Sequence, residues 1–369
     1  MRLGIVTQPL SQNYGGILQN YALQQMLKRM GHEPITIDWQ SKTPLWTYLL
    51  RTVKNTLFFC IPGIKSKFAP WPKIKPKNKL IAPFIDTHIH LTDEVTRYNR
   101  KLVDRYQLDG LIAGSDQVWR PKYNHHRLYD CYLQFAKGKK IFRMAYAASF
   151  GVDYWEYSKR KTARCKKLIR MFDAVSVREH SGIELCASHL DCKAIEVLDP
   201  TLLLSAEDYT TLCVDIPKPQ EAFLAAYLLD ADEEKRRMVE EIASRHRLSV
   251  HYVSADNDIS LRVEEWLALF RDANLVVTDS FHGTVFSIIN HTDFISIPNP
   301  NRGASRFESL LSKFDLSNRL IRNPEKMTDL PPIDWKHVDE LKRQWQKHSV
   351  DFLAILSDTA TYKRRRISQ

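Results

Sequence analysis

Residues 1–39 read MRLGIVTQPLSQNYGGILQNYALQQMLKRMGHEPITIDW, and they decide the fold. Leu3–Thr7 is apolar and β-prone. Leu18, Ala22, Met26 and Met30 then recur at steps of four, the stripe of one helix over residues 15–30. Gly31 suits the end of that helix, and Pro34–Trp39 is a second strand. Strand, helix and strand in that order form a βαβ unit, which requires a parallel sheet with helices on its faces.

The same alternation continues outward. Leu111–Asp116, Arg143–Phe150 and Ala174–Arg178 are short apolar strands ending in polar or small residues, with a basic helix around 157–172 between the last two. Ala194–Leu204 reads as a strand with a turn at Asp199-Pro200. After a Pro-containing linker near 216–220 come a strand at Phe223–Leu229, a charged helix at 231–246 and a strand at Leu248–Ser254. A helix at 261–272, a strand at Asn274–Asp279, a helix at Gly283–Asn290 and a strand at Asp293–Pro298 complete the series. The expected fold class is therefore α/β, with two Rossmann-like doubly wound domains facing across a cleft. An N-terminal domain spans residues 1–215 and a C-terminal domain 216–330, and a helical tail over 331–369 packs back across their seam.

The chain has 369 residues, 44% hydrophobic and 26% charged, a globular composition that excludes a wholly disordered chain. No apolar run approaches membrane-spanning length, and Met1–Leu10 does not read as a secretory leader, so a cytoplasmic location is expected. The six cysteines form no C-x-x-C pair and are read as buried thiols. The formal net charge is +11 and it is local: Arg51–Ile85 holds eight basic residues and no acidic one, and Lys363–Arg366 adds four more. This excursion over 41–85 interleaves Lys and Arg with Trp46, Tyr48, Phe58 and Phe59. It suits an anionic membrane surface on the inner face of the membrane, or equally a solvated loop covering the sheet. No nucleic-acid recognition motif accompanies the charge.

In doubly wound sheets ligands sit at the carboxyl ends of strands, which directs attention to four segments. In Asn274–Asn290, NLVVTDSFHGTVFSIIN, Ser280 is a candidate N-cap, His282 falls in the first turn beside Phe281, and Gly283 admits a ligand to the backbone. His282 is either a proton-carrying imidazole or only a capping one. In Ala174–Gly182, AVSVREHSG, Arg178 ends a strand and offers a fork for carboxylate or phosphate, or a structural pair with Glu179. In Gly114–Trp119, GSDQVW, Asp116 and Gln117 are placed to hold sugar hydroxyls with Trp119 as a stacking face, or else to form a turn anchored by that Trp. Asn13, Gly15, Gly16 and Gln19 open the first helix without the G-x-G-x-x-G spacing of a dinucleotide site. Asp230-Ala231-Asp232 reads as a solvated helix start, and His88, His90, His125 and His126 lack further ligands at zinc spacing.

Taken in order, NYGGILQNYAL, GSDQVW, AYAASFG, SVRE, VLDPTLLL and TDSFHGTVFSII resemble the polysaccharide pyruvyl transferase family over residues 3–290. Where many members carry N-x-G-D, Gly16 stands in the place of the acid. The resemblance implies the two-domain, GT-B-like arrangement of glycosyltransferases. It also implies transfer of a pyruvyl group from phosphoenolpyruvate to hydroxyls of a sugar or lipid-linked glycan acceptor, forming a ketal. The donor would lie on Arg178, Ser280, Phe281, His282 and Gly283, with His282, Arg178 and Asp116 as catalytic residues. The acceptor would lie on Asn13, Gly15, Gly16, Gln19, Asp116 and Gln117. Phosphoenolpyruvate is a co-substrate, no further cofactor is needed and no metal is demanded. A nucleotide-sugar glycosyltransferase and a non-catalytic glycan- or membrane-binding protein are the alternatives.

Overall fold

The structure, a computed structural model, describes residues 1–11, 13–40, 78–254, 260–298, 303–322 and 330–367. Of the basic excursion over 41–85, on which the membrane face is expected, residues 41–77 lie outside the described residues, Cys60 among them.

The first sheet comprises β1 (Arg2–Val6), β2 (Glu33–Thr36), β3 (Gly110–Ala113), β4 (Phe142–Ala148), β5 (Ala174–Val177) and β6 (Ile195–Glu196), in the order β2-β1-β3-β4-β5-β6. The second comprises β7 (Phe223–Leu228), β8 (Ser249–Ser254), β9 (Leu275–Thr278) and β10 (Phe294–Ser296), in the order β10-β9-β7-β8. Every pairing within the two sheets is parallel. The fold is α/β with two Rossmann-like sheets. Strand order reverses between β1 and β3 in one and between β9 and β7 in the other, and such switch points open crevices at strand carboxyl ends.

Helix α1 (Tyr14–Arg29) starts where the Asn13 side chain accepts a hydrogen bond from Gly16 N–H at 3.3 Å. It ends before Gly31, whose φ of +79° is the left-handed conformation a helix stop requires. Helices α2 (Lys159–Ile169) and α3 (His180–Leu190) flank β5. In the second unit α4 (Glu233–His246), α5 (Val263–Asp272), α6 (Phe281–Asn290) and α7 (Ser305–Ser312) alternate with the strands. Asp232 caps α4, accepting from Lys235 N–H at 2.8 Å, which is the solvated helix start expected of Asp230-Ala231-Asp232. Helix α6 begins at Phe281, two residues before the expected Gly283, because Ser280 caps it through Gly283 N–H at 3.2 Å.

The run Ala194–Leu204 departs from its reading as one strand. Pairing stops at Glu196, and Pro200–Leu203 is a short 3₁₀ helix. Pro200 has no N–H to give a ladder, and the Asp199 carboxylate captures Thr201 N–H at 3.0 Å, so the chain turns.

The two units share one apolar core that reaches from Leu3 and Ile17 through Leu202 and Tyr209 to Trp266 and Phe286. Tyr14 crosses between them. Its hydroxyl donates to the Leu261 carbonyl at 2.6 Å, accepts from Leu261 N–H at 3.2 Å, and its ring stacks on Trp266 with centroids 5.2 Å apart. The long helix α8 (Trp335–Ile367) touches both units. Asp339 faces His291 at 3.0 Å, Gln346 donates to the Leu202 carbonyl at 2.7 Å, and the Ser349 hydroxyl accepts from Leu198 N–H at 3.0 Å. No helix among the described residues is long and apolar enough to cross a membrane.

Candidate active site

The carboxyl ends of both sheets converge on one buried carboxylate. Asp199, just beyond β6, has no solvent-exposed side-chain surface. Its Oδ1 accepts from the Thr201 N–H at 3.0 Å and hydroxyl at 2.7 Å. Its Oδ2 accepts from the Ser115 hydroxyl at 3.2 Å and from Arg178 Nη1 at 2.8 Å. From the second unit, His282 Nε2 stands 3.6 Å from the same Oδ2, an ion-pair separation slightly long for a hydrogen bond. Residues following β3, β5, β6 and β9 therefore meet within one cluster.

Arg178 follows β5 directly and is buried. Besides Asp199 it has Asp116 Oδ1 at 3.7 Å and Glu179 Oε2 at 3.8 Å. Its Nε and Nη2 are buried without hydrogen-bond partners, so the fork retains donors for a ligand. The guanidinium lies 4.4 Å above the Phe281 ring centre, and Arg306 of α7 lies 5.5 Å from the same centre. Two cations thus share one aromatic ring. Burial, and then the nearby Arg178 charge, bring the Arg306 pKa down to about 10. Burial would lower that of Arg178 as well, but Asp199, Asp116 and Glu179 outweigh it and raise the value. Burial would raise the Asp199 pKa. The His282 imidazole and the Arg178 guanidinium overcome that penalty and hold the carboxyl well below the usual carboxylate range.

Glycines make room for the cluster. An ideal β-carbon on Gly15 would stand 1.9 Å from His282 Nδ1, so the imidazole lies directly on the start of α1. A β-carbon on Gly283 would meet Thr278 Oγ1 at 2.4 Å, which keeps α6 close behind β9. Asp116 adopts the left-handed conformation, φ 72°, and its carboxylate lies 3.8 Å from where a Gly16 β-carbon would be.

These are the strand ends that carry SVRE, DPTLLL and SFHG, and the family model for polysaccharide pyruvyl transferase matches residues 13–301 around them. The chain belongs to the polysaccharide pyruvyl transferase family. Among curated proteins none matches it closely enough to count as a relative. Similar solved structures include the glycotransferase of kitacinnamycin, 11% identical with a TM-score of 0.47, covering 94% of this chain and 95% of that one. Another is the UDP-GlcNAc 2-epimerase of Neisseria meningitidis bound to UDP-GlcNAc, 9% identical with a TM-score of 0.47, covering 95% of this chain and 94% of that one.

Within this pyruvyl transferase family member, Arg178, Asp116, Ser280, Phe281, His282, Gly283, Gly15 and Gly16 gather around the cluster. Asn13 is exposed and spends its side-chain oxygen on the α1 cap. Gln19 is fully buried, and its amide donates to Thr7 Oγ1 at 2.9 Å and to the Gly16 carbonyl at 2.8 Å, so it supports the α1 start from beneath. Gln117 is half-buried, with Oε1 accepting from Arg120 at 3.0 Å and packed where a Gly151 side chain would be. Trp119 is no stacking face. It is fully buried, stacked on Tyr132 at 4.9 Å, with its indole N–H given to the Cys131 carbonyl at 3.3 Å. Of the cysteines, Cys131, Cys165, Cys186 and Cys213 are free and buried, whereas Cys192 is partly exposed.

Two residues of the cluster, Asp199 and Arg306, escaped the sequence. Asp199 reads as half of an Asp-Pro turn. Glu179, the expected structural pair of Arg178, stands 3.8 Å from it, and its Oε1 also accepts from the Ser149 hydroxyl at 2.7 Å and from Phe150 N–H at 3.0 Å, tying β5 to the loop after β4. Arg306 follows no strand, so only its burial beside Arg178 reveals it.

Proposed function

We propose that this pyruvyl transferase family member uses phosphoenolpyruvate as donor and closes a pyruvate ketal on two hydroxyls of a sugar in a glycan precursor. The observation that carries the reading is the pair of buried guanidinium groups, Arg178 and Arg306, that both approach the ring of Phe281, the neighbour of the strand-end imidazole. Phosphoenolpyruvate presents a carboxylate and a phosphate, and planar forks suit both. Ser280, Phe281, His282 and Gly283 would form the wall of that pocket, with free N–H groups at the α6 start.

The chemistry balances without a redox step. The donor's methylene carbon takes a proton from His282 and becomes a methyl group, leaving its neighbouring carbon electrophilic. One sugar hydroxyl attacks that carbon, its proton passing to a base, for which Asp116, the least buried of the three carboxylates around Arg178, is the candidate. Phosphate leaves with the C–O bond electrons, and the second hydroxyl closes the ketal as its proton departs with phosphate. General acid catalysis of this kind contributes about 10²–10⁴ in rate. Asn13, Gly15, Gly16 and Gln117 would border the acceptor, a free sugar or a lipid-linked glycan. The second class would bring the protein peripherally to the inner membrane face, through the basic residues of 41–85.

The test is phosphate release from phosphoenolpyruvate with a panel of sugars and lipid-linked glycans, read together with the acceptor's mass. Phosphate release with one ketal-linked pyruvate gained supports the reading. Sugar transfer from a nucleotide sugar, with phosphoenolpyruvate untouched, would replace it with the glycosyltransferase alternative. Neither reaction, with glycan binding retained, would leave a binding protein.

A further inference from the structure

Every hydrogen-bond partner of Asp199 is a donor. Thr201 N–H and Oγ1 occupy Oδ1, while Ser115 Oγ, Arg178 Nη1 and the His282 imidazole surround Oδ2. The four hydrogen-bond donors belong to the first unit, the imidazole 3.6 Å from Oδ2 belongs to the second, and the carboxylate is fully buried. A charged oxygen held this way fixes the direction of whatever points at it, because turning away would strand a buried charge.

We propose that Asp199 is a positioning residue, whose Oδ2 sets both the guanidinium that grips the donor and the imidazole that protonates it. The assignment rests on the pyruvyl-transfer reading above. It specifies the geometry of that reaction further. With Nε2 turned to Asp199, Nδ1 is the ring atom left to exchange a proton with the donor carbon. That atom lies against Gly15 at the start of α1, on the side of the first unit where the acceptor is expected. The loop after β6 thereby couples donor grip to proton delivery across the two sheets.

Asp199→Asn is the informative variant. Its amide must turn NH₂ either on Thr201 N–H or on the Arg178 guanidinium, so no rotamer satisfies all the donors. The full chain is assayed for phosphate release, alone and combined with His282→Gln. Asp199→Asn should lower kcat by about 10²–10³, and the double variant should fall no more than about threefold below His282→Gln, since the two residues act as one unit. A folded Asp199→Asn protein with parental kcat, or effects that multiply in the double variant, overturns the assignment. A second measurement needs no substrate. The ring nitrogen-15 signals of His282, identified by their loss in His282→Gln, should place the proton of the neutral ring on Nε2 in the parent. A proton on Nδ1 in the parent overturns the proposal even if Asp199→Asn fails to fold. Should the parent release no phosphate from phosphoenolpyruvate, the transfer reading falls, while the nitrogen signature still judges Asp199.

Discussion

Gly15 and His282 compete for one space: a β-carbon on the glycine would stand 1.9 Å from Nδ1 of the imidazole. The two residues come from different units, one opening α1 and the other in the first turn of α6. The absence of a side chain at position 15 is what lets the second unit's imidazole reach the first unit's carboxylate.

Gly15→Ala should therefore displace the ring by an ångström or more and lower turnover about 10²-fold, the scale of a misplaced catalytic group. Overpacking should cost about 1–3 kcal/mol of stability. Kinetics together with thermal melting check both, and parental turnover would show that the imidazole does not need its present seat.

Arg178→Ala should abolish most donor binding, a loss on the order of 2–5 kcal/mol for a buried charge contact. Arg178→Lys should rescue poorly, because an ammonium cannot span the fork's geometry. Calorimetric titration with phosphoenolpyruvate reads both, and unchanged affinity in Arg178→Ala would remove Arg178 from the donor site.

Arg306→Gln should weaken the donor about tenfold to a hundredfold, the worth of one charged hydrogen bond. Of phosphate and pyruvate, which carry one of the donor's two anionic groups each, the one whose group Arg306 holds should lose about as much as phosphoenolpyruvate and the other little. Equal losses for all three ligands would mean that Arg306 acts only by supporting Phe281.

The strand-end residues were legible because their signal is local. An apolar run that stops at its first charged residue marks Arg178 and Asp116, and the strand–S-x-H-G–helix turn marks His282, without knowledge of any partner. Asp199 ends a similar run, but its significance lies in Ser115, Arg178 and His282, which sequence leaves far apart. The same holds for Arg306, whose neighbour Phe281 is 25 positions away in a different helix. Trp119 departs in the opposite direction: aromatic character suggested a ligand face, while packing against Tyr132 committed it to the interior.

Asp116→Asn should raise the acceptor KM or lower kcat, leaving phosphoenolpyruvate affinity within about threefold. Loss of donor binding alone would move Asp116 to the donor side of the cleft.

Asp199 also makes stability depend on acid. Its folded pKa lies below the unfolded value of about 3.9, so its contribution is complete above that pH and lost as pH falls through the folded value. The stability gap between the parent and Asp199→Asn, read from urea midpoints, should be widest near neutrality and narrow steadily below about pH 4. A gap independent of pH would show that charge plays no part in holding the cluster.

Helix α8 has one more consequence, for timing on the ribosome. Its Ser349 hydroxyl receives the N–H of Leu198, the residue before Asp199, and Gln346 grips the Leu202 carbonyl just after it. These residues are translated some 150 positions later than the loop they brace. A nascent chain can complete both sheets and still lack the brace on the loop where they meet, so competence for catalysis should arrive only after residues 346–349 have left the ribosome and docked.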